Sequence, residues 1–279
     1  MSRDVAQVTE RVRAFYESYP FPDYEGFESP QDLMANARRG IYPKMLDDEL
    51  PLGVRVLDAG CGTGQLAIFL SLAHRAVIGA DLSFCSLTEG RRFKERFGLT
   101  GVSFIQMDVF APSFRPGSFD FVMCNGVLHH TATPERAFAE LCDLLKPGGY
   151  IVLGLYNRFG RLRHKVRQKV AQVGGRGEAR WPKPMGDRKR RAWLLDQYEH
   201  PHESCLSVDT VLAWFQTSRI EYVNSVPPID PSMTQKSDSR LFAQRAAGSR
   251  FMHLVAQAAW IFTLDREGGY FVTIGRKRS

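Results

Sequence analysis

The 279-residue sequence lacks the features that would assign several common classes of protein. None of its apolar runs approaches the ~20 residues that a membrane-spanning helix needs. The first ten residues carry Arg3, Asp4 and Glu10 and no apolar stretch, so they do not read as a secretory leader. The five cysteines, Cys61, Cys85, Cys124, Cys142 and Cys205, are scattered and odd in number. They form no C-x-x-C pair, which argues against both a disulfide framework and a zinc site. A reduced, cytoplasmic setting is the expectation. Internal repeats are absent.

What remains is ordinary globular material, 44% hydrophobic and 24% charged, long enough for one large α/β domain with an appendage. The net charge of +7 is unevenly placed. Between Arg158 and Arg191 there are 13 Lys or Arg against Glu178 and Asp187, so that window is +11 and the rest of the chain −4. An anionic partner should be sought on that segment.

From Val54 to Tyr156 strand-like and helix-like stretches alternate. "VRVLDA", "AVIGA", "VSFIQM", "FDFVMC" and "YIVLGLY" read as buried strands. "QLAIFLSLAH", Ser83 to Phe97 and Pro134 to Leu145 read as helices, with Thr133 as N-cap of the last and "KPGG" as its stop. Such alternation implies right-handed crossovers and a doubly wound, mostly parallel sheet. The tail resumes it with a Ser207-capped helix, the strands "IEYVNSV" and "YFVTIGRK", and an apolar helix "FMHLVAQAAWIF" within an insertion at 227–269. The organisation expected is an aromatic arm or lid at 1–50, a core at 51–157, a basic insertion with a substrate-side loop at 158–206, and a completion of the core at 207–279.

"VLDAGCGTGQ" has the look of a nucleotide-binding turn, but its glycines read G-x-G-x-G and not the G-x-G-x-x-G of dinucleotide sites. A pyrophosphate site avoids a nearby carboxylate. Here Asp58 stands two residues before the first glycine, where it repels phosphate and suits a cation. Asp81, ending the second strand, can accept from ribose hydroxyls. Asp108, ending the third, can accept from the exocyclic amine of adenine. An ammonium, a ribose and an adenine without phosphate describe S-adenosylmethionine.

In these residues the sequence resembles the class I S-adenosylmethionine-dependent methyltransferases. The matching pieces are "VLDAGCGTGQ", "GADLS", "FIQMDVF", "FDFVMCNGVLHH" and "LKPGGYIVL", in family order. It is most similar to the small-molecule branch typified by quinone-biosynthesis methyltransferases. The resemblance implies a Rossmann-like seven-stranded sheet of order 3-2-1-4-5-7-6, its last strand antiparallel, here with an N-terminal helical arm and an insertion after strand 5. It implies cofactor contacts from Asp58, Gly60, Cys61, Gly62 and Gly64 at the first turn, Asp81 and Leu82 at the ribose, Asp108 and Val109 at the adenine, and Asn125 near the sulfonium. Asp120, entering the fourth strand at its far end, is read as structural.

Methyl transfer is an in-line displacement at an already activated carbon, so positioning and exclusion of water come first. A base is needed only for a protonated acceptor. "VLHHT" offers His129 and His130, with His129 preferred and structural packing as the competing role for either. Tyr19 is a further catalytic candidate. "FYESYPFPDY" reads as packing of the arm or as closure over a cationic sulfonium, Tyr16 and Tyr19 sharing a helix face. Tyr16, Tyr156, Tyr198, His200 and His202 are the acceptor-binding candidates. His200, His202 and Glu203 read as a substrate-facing loop, and no metal is expected.

The function expected is methyl transfer to a small-molecule or lipidic acceptor. The alternatives are a tRNA methyltransferase using the basic insertion, for which "LHHTATPERAF" is similar to some wobble-uridine enzymes, and a non-catalytic S-adenosylmethionine-binding protein. "RFGRLRHKVRQKV" places Phe159, Leu162, Val166 and Val170 at helical spacing, which suits contact with an anionic membrane or lipidic substrate. A simple solvated cationic face is the competing reading.

Overall fold

A computed structural model describes residues 3–173, 200–233, 240–264 and 268–279. Among these, seven strands form one sheet: β1 (Arg55–Ala59), β2 (Ala76–Asp81), β3 (Val102–Gln106), β4 (Phe119–Asn125), β5 (Leu145–Tyr156), β6 (Ile220–Val226) and β7 (Tyr270–Lys277). Their order is β3-β2-β1-β4-β5-β7-β6. Neighbours among the first five pair in parallel, and β7 runs antiparallel to both β5 and β6. This is the topology expected.

Three helices precede β1: α1 (Arg3–Ser18), α2 (Pro30–Arg39) and α3 (Ile41–Glu49). The crossovers use α4 (Gln65–Ser71), α5 (Phe84–Arg96) and α6 (Pro134–Asp143). The others among the described residues are α7 (Leu162–Val173), α8 (Val208–Thr217) and α9 (Arg250–Thr263). Ser83 and Ser207 cap α5 and α8 through their side chains, as expected. Thr133 sits at the N-cap of α6, but its side chain makes no capping bond. "KPGG" also departs from its expected role. It lies within β5, where Gly148 adopts a φ of +76° and the register shifts against β4 between Phe119 and Phe121.

Successive strand residues serve opposite faces. Leu57, Val122 and Leu153 join one buried cluster with Phe138 of α6 and Trp214 of α8. Val56, Phe121 and Val152 join the other with Phe69 of α4, Phe93 of α5 and Leu46 of α3. Burial on both faces is why these strands read as continuous apolar runs. The winding leaves Asp58, Asp81, Asp108 and Asn125 together at or beyond the carboxyl ends of β1 to β4, the edge where such sheets bind ligands.

Phe138 is fully buried and stacks on Phe215 with ring centroids 5.6 Å apart. Phe138→Ala should lower the unfolding free energy by about 3–5 kcal/mol in urea titration. A loss under about 1 kcal/mol would show that this face is not close-packed.

Candidate active site

The turn after β1 is held by its neighbours. Gly60, Gly62 and Gly64 all adopt left-handed φ, +76°, +57° and +82°. At Gly62 a side chain has no room, since a Cβ would stand 2.3 Å from the carbonyl oxygen of Phe21. The Gly62 N–H donates to Asp81 Oδ2 at 2.8 Å, and Ser83 N–H donates to Asp81 Oδ1 at 2.8 Å. Each carboxylate oxygen keeps a second acceptor position, enough for a pair of hydroxyls. Ser83 caps α5, so Asp81 is not consumed as that helix's cap.

Asp58 is 3% exposed. Burial, with the charge of Asp81 added, raises its carboxyl to about 7. Cys61, Cys124 and Tyr42 lie within its field and are themselves pushed up by burial, so they stay neutral. Among the described residues no cation pairs with Asp58, and a cationic ligand would supply that charge.

A cavity of about 400 Å³ opens beside the turn. At one end it is walled by Leu82, Met107, Asp108, Val109 and Phe110, an apolar slot with one acid. Asp108 Oδ1 accepts the Phe110 N–H at 2.9 Å. At the other end stand Asn125, His130, Tyr156 and Tyr270. A second hollow of about 340 Å³ borders Asp58, Gln65 and Asn36 and shares Gly60, Cys61 and Asn125 with the first. Asn125 Oδ1 accepts Tyr42 Oη at 3.2 Å, while its buried Nδ2 has no partner among the described residues. An orphaned buried donor costs about 1–3 kcal/mol, and a ligand carboxylate would satisfy it.

The arm clasps this turn. Thr63 Oγ1 donates to the Pro22 carbonyl and Gln65 Nε2 to that of Asp23, while Tyr24 Oη reaches the Thr63 carbonyl at 2.8 Å. Tyr24 stacks on Phe93 of α5 at 4.5 Å. Glu17 accepts the N–H groups of Phe84 and Cys85 at 2.8 and 3.0 Å, capping the start of α5. Buried Arg75 ties α3 to the core through Asp47 at 2.8 Å and the Leu50 carbonyl at 2.7 Å. Within the aromatic stretch Tyr24 packs against the core as expected, and Tyr16 lines the cavity.

The two histidines separate. His129 is fully buried, is not among the cavity-lining residues, and packs on Tyr156 at 4.2 Å. Burial lowers its basicity, and neither ring nitrogen has a hydrogen-bond partner among the described residues. The preference for His129 over His130 is therefore reversed, for a base must reach the acceptor. His130 lines the cavity, and its Nδ1 lies 2.8 Å from the His202 carbonyl. That contact requires the proton on Nδ1 and leaves Nε2 a lone-pair acceptor. Burial pushes its titration down to about 4. The His200 ring stacks on it at 3.6 Å and also touches Phe15 and Tyr16 of α1. His202 serves through its backbone carbonyl, which also contacts His200 Nδ1 at 2.6 Å. Tyr19 packs on Phe15 and does not line the cavity. Tyr198 lies outside the described residues.

Arg161 corrects another expectation. Read as one of the cations of an exposed anion-binding helix, it is instead fully buried. Its guanidinium reaches Glu203 at 3.2 and 2.5 Å and the Gly268 carbonyl at 3.0 Å, and lies 3.8 Å over the Tyr156 ring. Burial alone would raise the Glu203 carboxyl, but the Arg161 hydrogen bond and charge hold it below the usual range. The 200–206 loop is thus fastened to the end of β5, with Ser204 N–H on the His129 carbonyl at 2.7 Å. Asp120 is structural as expected, accepting Arg55 N–H and Lys146 Nζ at 2.9 and 2.7 Å. Tyr42 and Tyr270, both near Asn125, are cavity or turn residues that sequence reading missed. They come from the arm and the last strand, and no local motif marks them.

Comparisons with known proteins place the chain among methyltransferases. A family profile described as "Methyltransferase domain" matches residues 57–153. An uncharacterized methyltransferase of Mycobacterium bovis is 31% identical over 156 residues, covering 52% of this chain and 78% of that protein. A ubiquinone biosynthesis O-methyltransferase of Thiobacillus denitrificans is 33% identical over 117 residues, 41% of this chain and 50% of that one. An uncharacterized protein of Synechococcus is 29% identical over 250 residues, 77% of this chain and 60% of that one, so the chain spans three fifths of that relative's length. The fold is shared with the Burkholderia thailandensis 1,6-didemethyltoxoflavin-N1-methyltransferase, solved with S-adenosylhomocysteine, at a TM-score of 0.54, 17% identity and coverage of 100% and 92%. The chain belongs to the class I S-adenosylmethionine-dependent methyltransferases. Its cofactor is S-adenosylmethionine.

Two expectations follow for cofactor binding. Asp81→Ala should weaken S-adenosylhomocysteine binding by roughly 10- to 150-fold in calorimetry, the equivalent of about 1.5–3 kcal/mol of charge-assisted hydrogen bonding. Binding within twofold of the parent would remove Asp81 from the ribose. Asp58 carries its charge only above about pH 7. Affinity for the cofactor's ammonium should therefore fall roughly tenfold from pH 8 to pH 6 and be flat in Asp58→Asn. An unchanged slope in the variant would show that Asp58 does not meet the cation.

Proposed function

We propose that the chain methylates a small or amphiphilic acceptor through an oxygen or nitrogen atom, with His130 as proton acceptor. Asp81 with Leu82 holds the ribose, Asp108 and Val109 frame the adenine, and the Gly60–Gly64 turn with Asp58 and Asn125 receives the amino-acid end. The residues fit that ligand because Asn125 Nδ2 is a buried donor in need of an acceptor and Asp58 a buried acid in need of a cation. S-adenosylmethionine supplies the activated methyl group when bound. The chain's residues align the acceptor, exclude water and take its proton.

The observation that carries the reading is the His202 carbonyl on His130 Nδ1. It fixes the tautomer in which Nε2 is the free base. Neutral His130 with Tyr16 and Tyr156 forms a largely aromatic acceptor end, backed by the His200 ring that does not itself line the cavity, which favours a flat or amphiphilic molecule. The tRNA reading draws less support, because Arg161 is spent on Glu203 inside the protein and cannot meet a phosphate.

His130→Asn should lower kcat by about 10²- to 10⁴-fold while leaving S-adenosylhomocysteine affinity within twofold. The assay is transfer of labelled methyl to phenolic and quinol acceptors and to cell extracts, with and without ribonuclease. An unaltered kcat would reject the base, label lost only with ribonuclease would reject the small acceptor, and no transfer at all would favour the non-catalytic reading.

A further inference from the structure

α9 is built inside out. Its polar residues His253 and Gln257 are buried and bonded: His253 Nδ1 lies 2.9 Å from Asp209 Oδ1, and Gln257 Oε1 accepts Asn157 Nδ2 and Val208 N–H, both at 2.9 Å. With Ala256 and Trp260 they form the inward face. The outward face falls to Phe251, Leu254, Val255 and Phe262, which are 73%, 51%, 42% and 72% exposed. α7 repeats the inversion. Arg161 before it and His164 within it are buried, while Leu162 and Val166 are 49% and 55% exposed. Arg163 of α7 lies over the Phe262 ring of α9 at 5.8 Å, so the two helices share one surface. Exposed apolar side chains gathered in this way mark an interaction site.

The charge on the same two helices has one sign. α7 carries Arg163, Lys165, Arg167 and Lys169, α9 begins with Arg250, and neither helix contains an acid. We propose that this face docks on an anionic lipid surface, its apolar side chains entering the boundary between headgroups and acyl chains and its cations meeting phosphates. A second copy would set like charges against each other. A nucleic-acid backbone would use the cations and leave Phe251, Leu254 and Phe262 in water. The face also adjoins the acceptor end of the cavity. Arg161, one residue before α7, lies 3.8 Å over the Tyr156 ring, and Trp260 of α9 packs on Phe271, next to Tyr270, at 5.6 Å. Resting on the acceptor class proposed above, this placement lets an amphiphilic acceptor reach His130 from the bilayer.

The test is co-sedimentation of the full chain with vesicles of phosphatidylcholine alone and of phosphatidylcholine and phosphatidylglycerol in about equal parts. The parent should bind the anionic vesicles, less so as salt rises, and not the neutral ones. Phe251→Ser with Phe262→Ser, and separately Arg163→Gln, Arg167→Gln, Lys169→Gln and Arg250→Gln together, should each bind at least about tenfold more weakly. Both should keep parental S-adenosylhomocysteine affinity, which shows an intact fold. Absence of parental binding, equal binding to both vesicles, or variants that bind like the parent would overturn the proposal. So would a dimer in sedimentation velocity that the double Phe variant loses, or RNA binding lost only in the cation variant. Vesicle binding is read without turnover, so a failed methyl-transfer assay leaves this result standing and strikes only the proposed reaction.

Discussion

Two carboxylates, buried Asp58 and half-buried Asp81, stand at the ends of adjacent strands, and much of the site is arranged around them. Among the described residues Asp58 and Asp81 gain no lysine or arginine partner. Asp81 is served by two backbone N–H groups, and Asp58 is driven towards its neutral form by burial and by Asp81. A site that holds unpaired acid in the interior is poised for a cation, and its ligand stabilises both itself and the protein. The glycine turn bends sharply enough to bring its Gly62 N–H onto Asp81. The arm then closes over the turn with its own carbonyls, which Thr63 and Gln65 satisfy.

The acceptor end rests on an ion pair between buried Arg161 and half-buried Glu203. Arg161 and Glu203 would each be costly to bury alone. Together, with the Gly268 carbonyl, they join the end of β5, the 200–206 loop and the approach to β7. That loop presents the His202 carbonyl to His130 and the His200 ring to its face. The tautomer of the proposed base is thus fixed by a residue 72 positions away in sequence. The same pair draws α7 inwards by its first turn, which turns Leu162 and Val166 outwards.

The sheet and the cofactor carboxylates were legible in the sequence because both are local. A strand buried on two faces shows as an apolar run, and a carboxylate two residues before a G-x-G-x-G turn is fixed in place by the strand that precedes it. Asp81, Asp108 and Asn125 follow from the same rule, each at or just beyond the end of a strand. Caps such as Ser83 and Ser207 are equally local. Thr133 takes the N-cap position without making the capping bond, and "KPGG" misled because a strand bulge depends on the neighbouring strand, here β4 against β5.

What only the tertiary structure decided is which of several equivalent residues faces the site. His129 and His130 are adjacent and chemically identical, and packing under Tyr156 withdraws the first while the His202 carbonyl presents the second. Tyr16 reaches the cavity and Tyr19 does not, although they share the same aromatic stretch. Tyr42 and Tyr270 meet at Asn125 from opposite ends of the chain. The apolar spacing of α7 and the apolar character of α9 were visible, but neither gives a direction. Buried partners for Arg161, His253 and Gln257 turned both apolar faces outwards, because an unbonded polar group in the core costs more than an apolar one in water.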